Sequence, residues 1–332
     1  MKKRIGVIGT FVWDVIHGRD PRALPVEEWG GITYSLSGLD AALGDDWEIV
    51  PIAKVGFDLA ARAREYVHGL RRAAPDAAPL EVPHPNNRVV LRYTDDERRT
   101  ECLQGHIPGW TWAALQPVID EARLDALYVN FLSGWELDLP TFQALRAHFA
   151  GPIYCDLHML VMAVQPDGMR VPRPLPDVAG WCACADFLQV NEDELATMAP
   201  DGMSLAATAM AAGVSCLMVT LGKKGAVYFA APGFGAITDL PPRGGLATGP
   251  CGGRSPLGAI RTALLPAELS TARDTDPTGC GDVWGATCFA RLLAGDMLED
   301  ALRAAHRAAR RNVEHRGASG LANHLRGELS RP

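Results

Sequence analysis

The sequence predicts an α/β protein with a Rossmann-like, doubly wound, mostly parallel sheet, helices on both faces and a small β-layer beside it. Two observations carry this. Short apolar runs alternate with segments of helical period, which is how parallel strands and their crossover helices read. Residues 11–36 and 85–106 break that alternation, mixing β-formers with charges and turn residues, and are expected to form the layer outside the main sheet.

The elements follow in order. Residues 5–9 are apolar apart from Gly6 and Gly9 and read as a first buried strand. The preceding Lys2, Lys3 and Arg4 superficially suggest a signal peptide, but the apolar stretch is short and runs on to Asp14. Residues 49–53 repeat the strand pattern. Residues 88–93 alternate and lead to the turn-like Asp95-Asp96-Glu97. Strands are predicted at 126–131, 153–156, 187–190 and 216–221, and helices at 140–149, 205–212 and 298–313. In such sheets ligands bind at the carboxyl ends of the strands, so Asp14, Asn130, Asp156, Asn191 and Thr220, each following a strand, are candidate functional residues. Residues 232–258 hold eight glycines and five prolines and are expected to be a long irregular loop. No linker or repeat divides the chain, which reads as one domain over 1–332 with the segments of the small layer, 11–36 and 85–106, inserted in the core.

The bulk properties exclude some function classes. Of 332 residues 48% are hydrophobic and 21% charged, enough apolar mass for a sizeable core. The net charge of -7 argues against a nucleic-acid partner, and Arg303, Arg307, Arg310 and Arg311 read as a solvated helix face. No segment approaches the roughly 18 apolar residues of a membrane span. The eight cysteines lack zinc-ligand spacing and are expected to be free thiols in a reducing cytoplasm.

The most informative stretch is Asp276-Pro277-Thr278-Gly279-Cys280-Gly281-Asp282. Apolar residues from Val283 to Leu293 have helical spacing, so the glycines stand at a helix N-terminus, where close backbone N–H groups and the helix dipole favour an anion. Asp282 in the first turn is placed to accept a proton from an attacking hydroxyl. An acid there is also ordinary helix-terminal chemistry.

This motif, late in an α/β chain, closely resembles the second signature of the ribokinase-like (PfkB) carbohydrate kinase family. The resemblance implies that Asp282 is the catalytic base and that Gly279, Cys280 and Gly281 form an anion hole. Cys280 stands where the family usually has Ala; it too is small, with the same backbone N–H. Asn191-Glu192-Asp193-Glu194 resembles the family's N-x-x-E, implying that Asn191 and Glu194 organise Mg2+ and phosphate, largely through water. Thr220-Leu221-Gly222-Lys223-Lys224-Gly225 resembles the strand–turn–strand that cradles ATP through Thr220, Gly222 and Gly225. By position His306 falls near adenine. Asp276, with carbonyls near Gly317, matches a site for a monovalent cation such as K+ in some relatives. At the other end, Asp14 resembles the family's substrate-binding Asp, and Gly30-Gly31 the early signature's hinge, with Ser35 where the family usually has Asn. Residues 95–100 resemble the lid turn and following strand.

The resemblance covers nearly the whole chain. It implies an ATP-dependent kinase acting on a hydroxyl, primary in the family's pattern, of a sugar or sugar-like molecule, and a homodimer built through the lids. Ser35, the Asp156-Leu157-His158 found where many members have Asp-x-Asn, and the long 232–258 loop depart from the family and suit an uncommon substrate. The alternatives are a nucleoside kinase of the same family, and a catalytically inactive member acting as a sugar-binding regulatory protein. The chain has neither a G-x-G-x-x-G fingerprint nor a Walker A lysine motif, which sets aside nicotinamide enzymes and P-loop kinases.

Overall fold

The computed structural model describes residues 2–17, 22, 24–93, 99–241, 258–272 and 275–328. The chain opens with β1 (Lys3–His17), β2 (Val26–Gly31) and α1 (Ile32–Ala42), followed by β3 (Trp47–Gly56), α2 (Ala60–His68) and β4 (Leu80–Val82). Then come β5 (Asn87–Tyr93), β6 (Arg99–Gln104), α3 (Trp112–Ala122), β7 (Ala126–Asn130), α4 (Leu139–His148) and β8 (Ile153–Asp156). A hairpin of β9 (Met162–Val164) and β10 (Arg170–Pro172) precedes α5 (Val178–Cys182), β11 (Phe187–Asn191), α6 (Glu192–Met198) and α7 (Gly202–Ala211). The remainder is β12 (Cys216–Thr220), β13 (Ala226–Ala230), β14 (Arg261–Leu265), α8 (Cys280–Leu293), α9 (Leu298–Asn312) and α10 (Leu321–Arg326).

The main sheet runs β14-β13-β12-β11-β8-β7-β1-β3-β4. It is parallel from β4 to β12, and β13 and β14 close that edge antiparallel. The central strands are buried end to end because helices cover both faces, which is why they read as near-continuous apolar runs. Two large apolar clusters occupy those faces. One holds Tyr128, Tyr154, Phe187 and Phe289 in mutual ring contact under α8. The other packs Phe131, Phe142 and Trp181.

β1 is longer than its apolar core suggests. Its first half pairs with β3 and β7 in the main sheet, and its second half leaves that sheet to pair with β2 and β5, and through β5 with β6. This second group is the small layer, with its own apolar cluster of Val12, Val89, Leu91 and Leu103. α1 begins at Ile32, so the first stretch of the layer consists of β2 and the outer half of β1. Most of the expected turn after β5 (residues 94–98) lies outside the described residues, as does most of the Gly/Pro-rich segment (242–257). Among the described residues no helix is long and apolar enough to cross a membrane, and the seven described cysteines form no disulfide with one another.

Candidate active site

Strand order turns the carboxyl ends of β1, β7, β8, β11 and β12 toward one edge. A cleft of ≈ 320 Å³ lies there, between the edge, the small layer and the N-terminus of α8. Asp14, Gly31, Asn191, Glu194, Thr220, Gly222, Gly279, Cys280, Gly281 and Asp282 all line it. Residues spread over most of the chain are thus brought together.

At its floor Gly279 caps α8 with φ 73°, a left-handed conformation that L-residues avoid. A Cβ there would stand 2.1 Å from Cδ1 of Tyr34, so glycine is also required by space. The N–H of Cys280 donates to Pro277 O at 3.1 Å and closes the turn, so it is not free for an anion in the way the motif suggests; among the described residues Gly279 and Gly281 have no such bond. Gln189 Nε2 donates to Gly281 O at 3.0 Å and steadies the turn from β11. The Cys280 thiol lies against Asn312 Nδ2 and burial pushes it up to about 12, leaving it inert.

Asp282 receives a hydrogen bond at Oδ1 from Asn130 Nδ2 at 2.5 Å. Burial raises its pKa above the usual carboxylate range, opposed by the His158 charge and the Asn130 bond. Asn130 Nδ2 also approaches Ser35 Oγ at 3.1 Å. Ser35 is fully buried behind Asn130 instead of lining the cleft, because the first turn of α1 points it at β7.

At the other end Asp14, on the outer half of β1, is 6% exposed. Gly30 on β2 makes room for it: a Cβ there would come within 1.9 Å of Asp14 Oδ2. Arg170 and Glu101 line this end too, with apolar Val12, Val89 and Leu91 from the layer.

Asn191 caps α6 in a reciprocal capping box, its Oδ1 accepting from Glu194 N while Glu194 Oε2 accepts from Asn191 N. Glu194 Oε1 further accepts from Asn191 Nδ2 at 2.7 Å and bonds His158 Nδ1 at 3.1 Å. Three hydrogen bonds from Asn191 and His158 leave this carboxylate little room for a direct metal bond but suit a contact to magnesium through water. His158 holds an unusual φ of 29° and lines the cleft. Burial opposes its charge, but the hydrogen bond and charge of Glu194, with Asp156 and Asp282, push its pKa up to about 10. Burial also lifts Asp156 well above its ordinary value.

Gly225 and His306 stand outside the lining. Gly225 shapes the β12–β13 turn at φ 110°, where a Cβ would meet Leu265 O at 2.0 Å. His306 is buried between α9 and α8, and its Nδ1 accepts from Trp284 Nε1 at 3.2 Å. α9 packs this face on α8, which places His306 at the helix interface, outside the lining of the cleft. Asp276 Oδ1 accepts from Thr278 N at 2.9 Å, and its own N–H bonds Val313 O. Glu28 of β2 lies against Gly317, with Oε1 buried and unpartnered. Burial and then the Asp276 charge raise its pKa, which Arg316 partly offsets. Two neighbouring carboxylates, one with an orphaned oxygen, fit a cation.

Sequence reasoning missed Tyr34, Gln189, Glu28, Glu101 and Arg170. Gln189 sits mid-strand and Arg170 in a three-residue strand, where no motif marks them. Gly279 and Tyr34 are far apart in sequence, so their contact leaves no local pattern.

No family model and no curated protein matches the chain. Solved structures do. One is a pyrophosphate-dependent kinase in the ribokinase family, in a sulfate complex (TM-score 0.70, 15% identity, 96% of each chain covered). Another is the Burkholderia thailandensis nucleoside kinase in complex with inosine (TM-score 0.66, 16% identity, 98% of this chain and 95% of that one). A third is Arabidopsis thaliana ribokinase complexed with ribose and ATP (TM-score 0.62, 15% identity, 98% of this chain and 99% of that one). The chain has the ribokinase-like fold.

Proposed function

We propose that this chain is an ATP-dependent kinase of the ribokinase family that transfers the γ-phosphate to a hydroxyl, in the first instance a primary one, of a sugar or sugar-like molecule. The observation that carries this is the placement of Asp282. It stands in the first turn of α8 beside the Gly279–Gly281 backbone, on the floor of a cleft whose far end holds Asp14 under the small layer.

The residues divide the work by position. Asp14 accepts hydrogen bonds from substrate hydroxyls, with the layer closing over them to exclude water. Asp282 takes the proton of the attacking hydroxyl as its oxygen bonds to the γ-phosphorus and the bond to ADP breaks. The raised pKa makes it a stronger base than an ordinary surface carboxylate. Asn130 holds Oδ1, which directs Oδ2 to the substrate. The N–H groups of Gly279 and Gly281 face the charge on the transferring group. Asn191, Glu194, Thr220 and Gly222 line the donor end, and His158 adds positive charge beside Glu194. Glu194 would hold magnesium there through water, and the ion would supply charge neutralisation to the phosphates. Asp276 and Glu28 are the groups that would hold a monovalent cation such as K+. A homodimer through the layers fits Leu24 and Val26, which are 90% and 41% exposed at the β2 edge.

The apolar wall of Val12, Val89 and Leu91 supports a nucleoside as the second reading, since it offers a surface to a base. The test is ADP or phosphate release with ATP or pyrophosphate as donor against sugars and nucleosides, with Asp282→Asn in parallel. Substrate-dependent turnover that falls about 10²–10⁴-fold in the variant is the expected result. Turnover indifferent to the substitution overturns the role of Asp282. Donor and substrate binding without turnover indicates the inactive, sugar-binding alternative.

A further inference from the structure

Arg170 is the feature of the cleft that phosphotransfer leaves unused. It comes from the β9–β10 hairpin, which leans on the small layer: Leu103 N donates to Gly168 O at 2.9 Å, and Met169 bridges Cys102. The hairpin thereby delivers a guanidinium to the end of the cleft that holds Asp14.

The side chain is only 5% exposed. Among the described residues its one hydrogen bond is Nη2 to Leu132 O at 3.0 Å. Nε is buried with no partner. Glu101 Oε2 stands 3.7 Å from Nη1, beyond hydrogen-bond distance. A guanidinium presents five N–H groups in a rigid plane, and buried charges are ordinarily both paired and hydrogen-bonded. Among the described residues this one makes a single hydrogen bond and one long ion pair, and it lines a cleft.

We propose, on the phosphotransfer reading above, that Arg170 is a specificity-determining residue that binds a carboxylate on the substrate, so that the substrate is a polyhydroxylated acid whose acid group lies remote from the phosphorylated hydroxyl. The planar fork matches two carboxylate oxygens at once, a stronger contact than single bonds to neutral hydroxyls. A phosphate group is a poorer match. It carries close to two negative charges, and the residues named at this end offer one guanidinium flanked by Asp14 and Glu101. That end is already acidic on balance, so a singly charged carboxylate held by the fork is opposed less than a phosphate. Asp14 remains for the hydroxyls.

The test is calorimetric binding without a phosphoryl donor. Probes are five- and six-carbon aldonates and uronates, their neutral aldoses and alditols, ribose 5-phosphate and inosine, with wild type, Arg170→Gln and Arg170→Lys. At least one acid should bind about 10–100-fold tighter than its neutral partner, as expected for a charged hydrogen-bonded contact. Arg170→Gln should abolish the preference and Arg170→Lys keep part of it, with neutral ligands little changed. Tightest binding of a neutral sugar, a nucleoside or the sugar phosphate overturns the proposal. So does an equal loss for all ligands in both variants, which marks Arg170 as structural. Arg170-dependent binding of an acid that is never phosphorylated keeps Arg170 as the carboxylate-binding residue and removes the kinase reading. Phosphorylation of a neutral sugar untouched by Arg170→Gln does the reverse.

Discussion

Replacing Gly279 by alanine should damage stability and turnover together, and the size of each effect can be worked from the turn. The residue holds φ 73°, and leaving an L-residue there costs about 1–2 kcal/mol. The added Cβ would stand 2.1, 2.2 and 2.6 Å from Cδ1, Cγ and Cε1 of Tyr34. Those atoms belong to a ring that is 2% exposed and cannot swing aside freely. Overpacking of this kind costs about 1–3 kcal/mol more. The sum is ~2–5 kcal/mol, which for a chain of this size lowers Tm by roughly 3–7 °C. Relief of the clash moves the turn by about 1 Å relative to Asp282, and a displacement of that size costs on the order of 10²-fold in rate. Thermal unfolding of the ligand-free protein measures the first effect and initial rates the second. The same substitution made in a Tyr34→Ala background should cost only the backbone share, because the ring is gone. An equal Tm loss in both backgrounds would refute the steric account, and an unchanged rate would refute the role of the turn.

Two pH-dependent effects follow from the acidic groups around the cleft. Burial and Asp276 raise the pKa of Glu28, so its ionisation works against the fold: stability is fullest below pH 4.5 and declines as pH rises through the raised value. Glu28→Gln should therefore raise Tm at pH 8 in a buffer free of alkali cations, with the gain vanishing near pH 4; a lower Tm at pH 8 contradicts this. His158 has the opposite sign. Its folded value of about 10 lies above the ordinary 6.5, so its contribution is complete below pH 6.5, shrinks through the interval and is absent above pH 10. In metal-free protein His158→Asn should unfold at lower temperature than wild type at pH 6 and match it near pH 10.5; a constant difference across that range would show that the ring acts by packing alone.

Much of this protein is legible in its sequence because the relevant physics is local. Strand and helix periods place the core elements within a few residues, and the run from Asp276 to Asp282 announces a glycine-rich helix N-terminus because φ above zero and a first-turn acid are properties of neighbouring residues. Asn191 and Glu194 are visible for the same reason, being three residues apart on one helical turn. What meets what across the cleft is a different kind of fact. Asn130 reaches Asp282 over 152 positions, and it does so because β7 ends beside α8 once the strands are ordered. The same ordering buries Ser35 behind Asn130, turns His306 to Trp284, and brings Arg170 on a short hairpin to the small layer. Local periodicity is blind to these pairings, since they depend on which apolar faces find each other when the sheet assembles. The sequence by itself determined the elements and the chemistry available at their ends; only the tertiary structure decided which of those ends share one cleft.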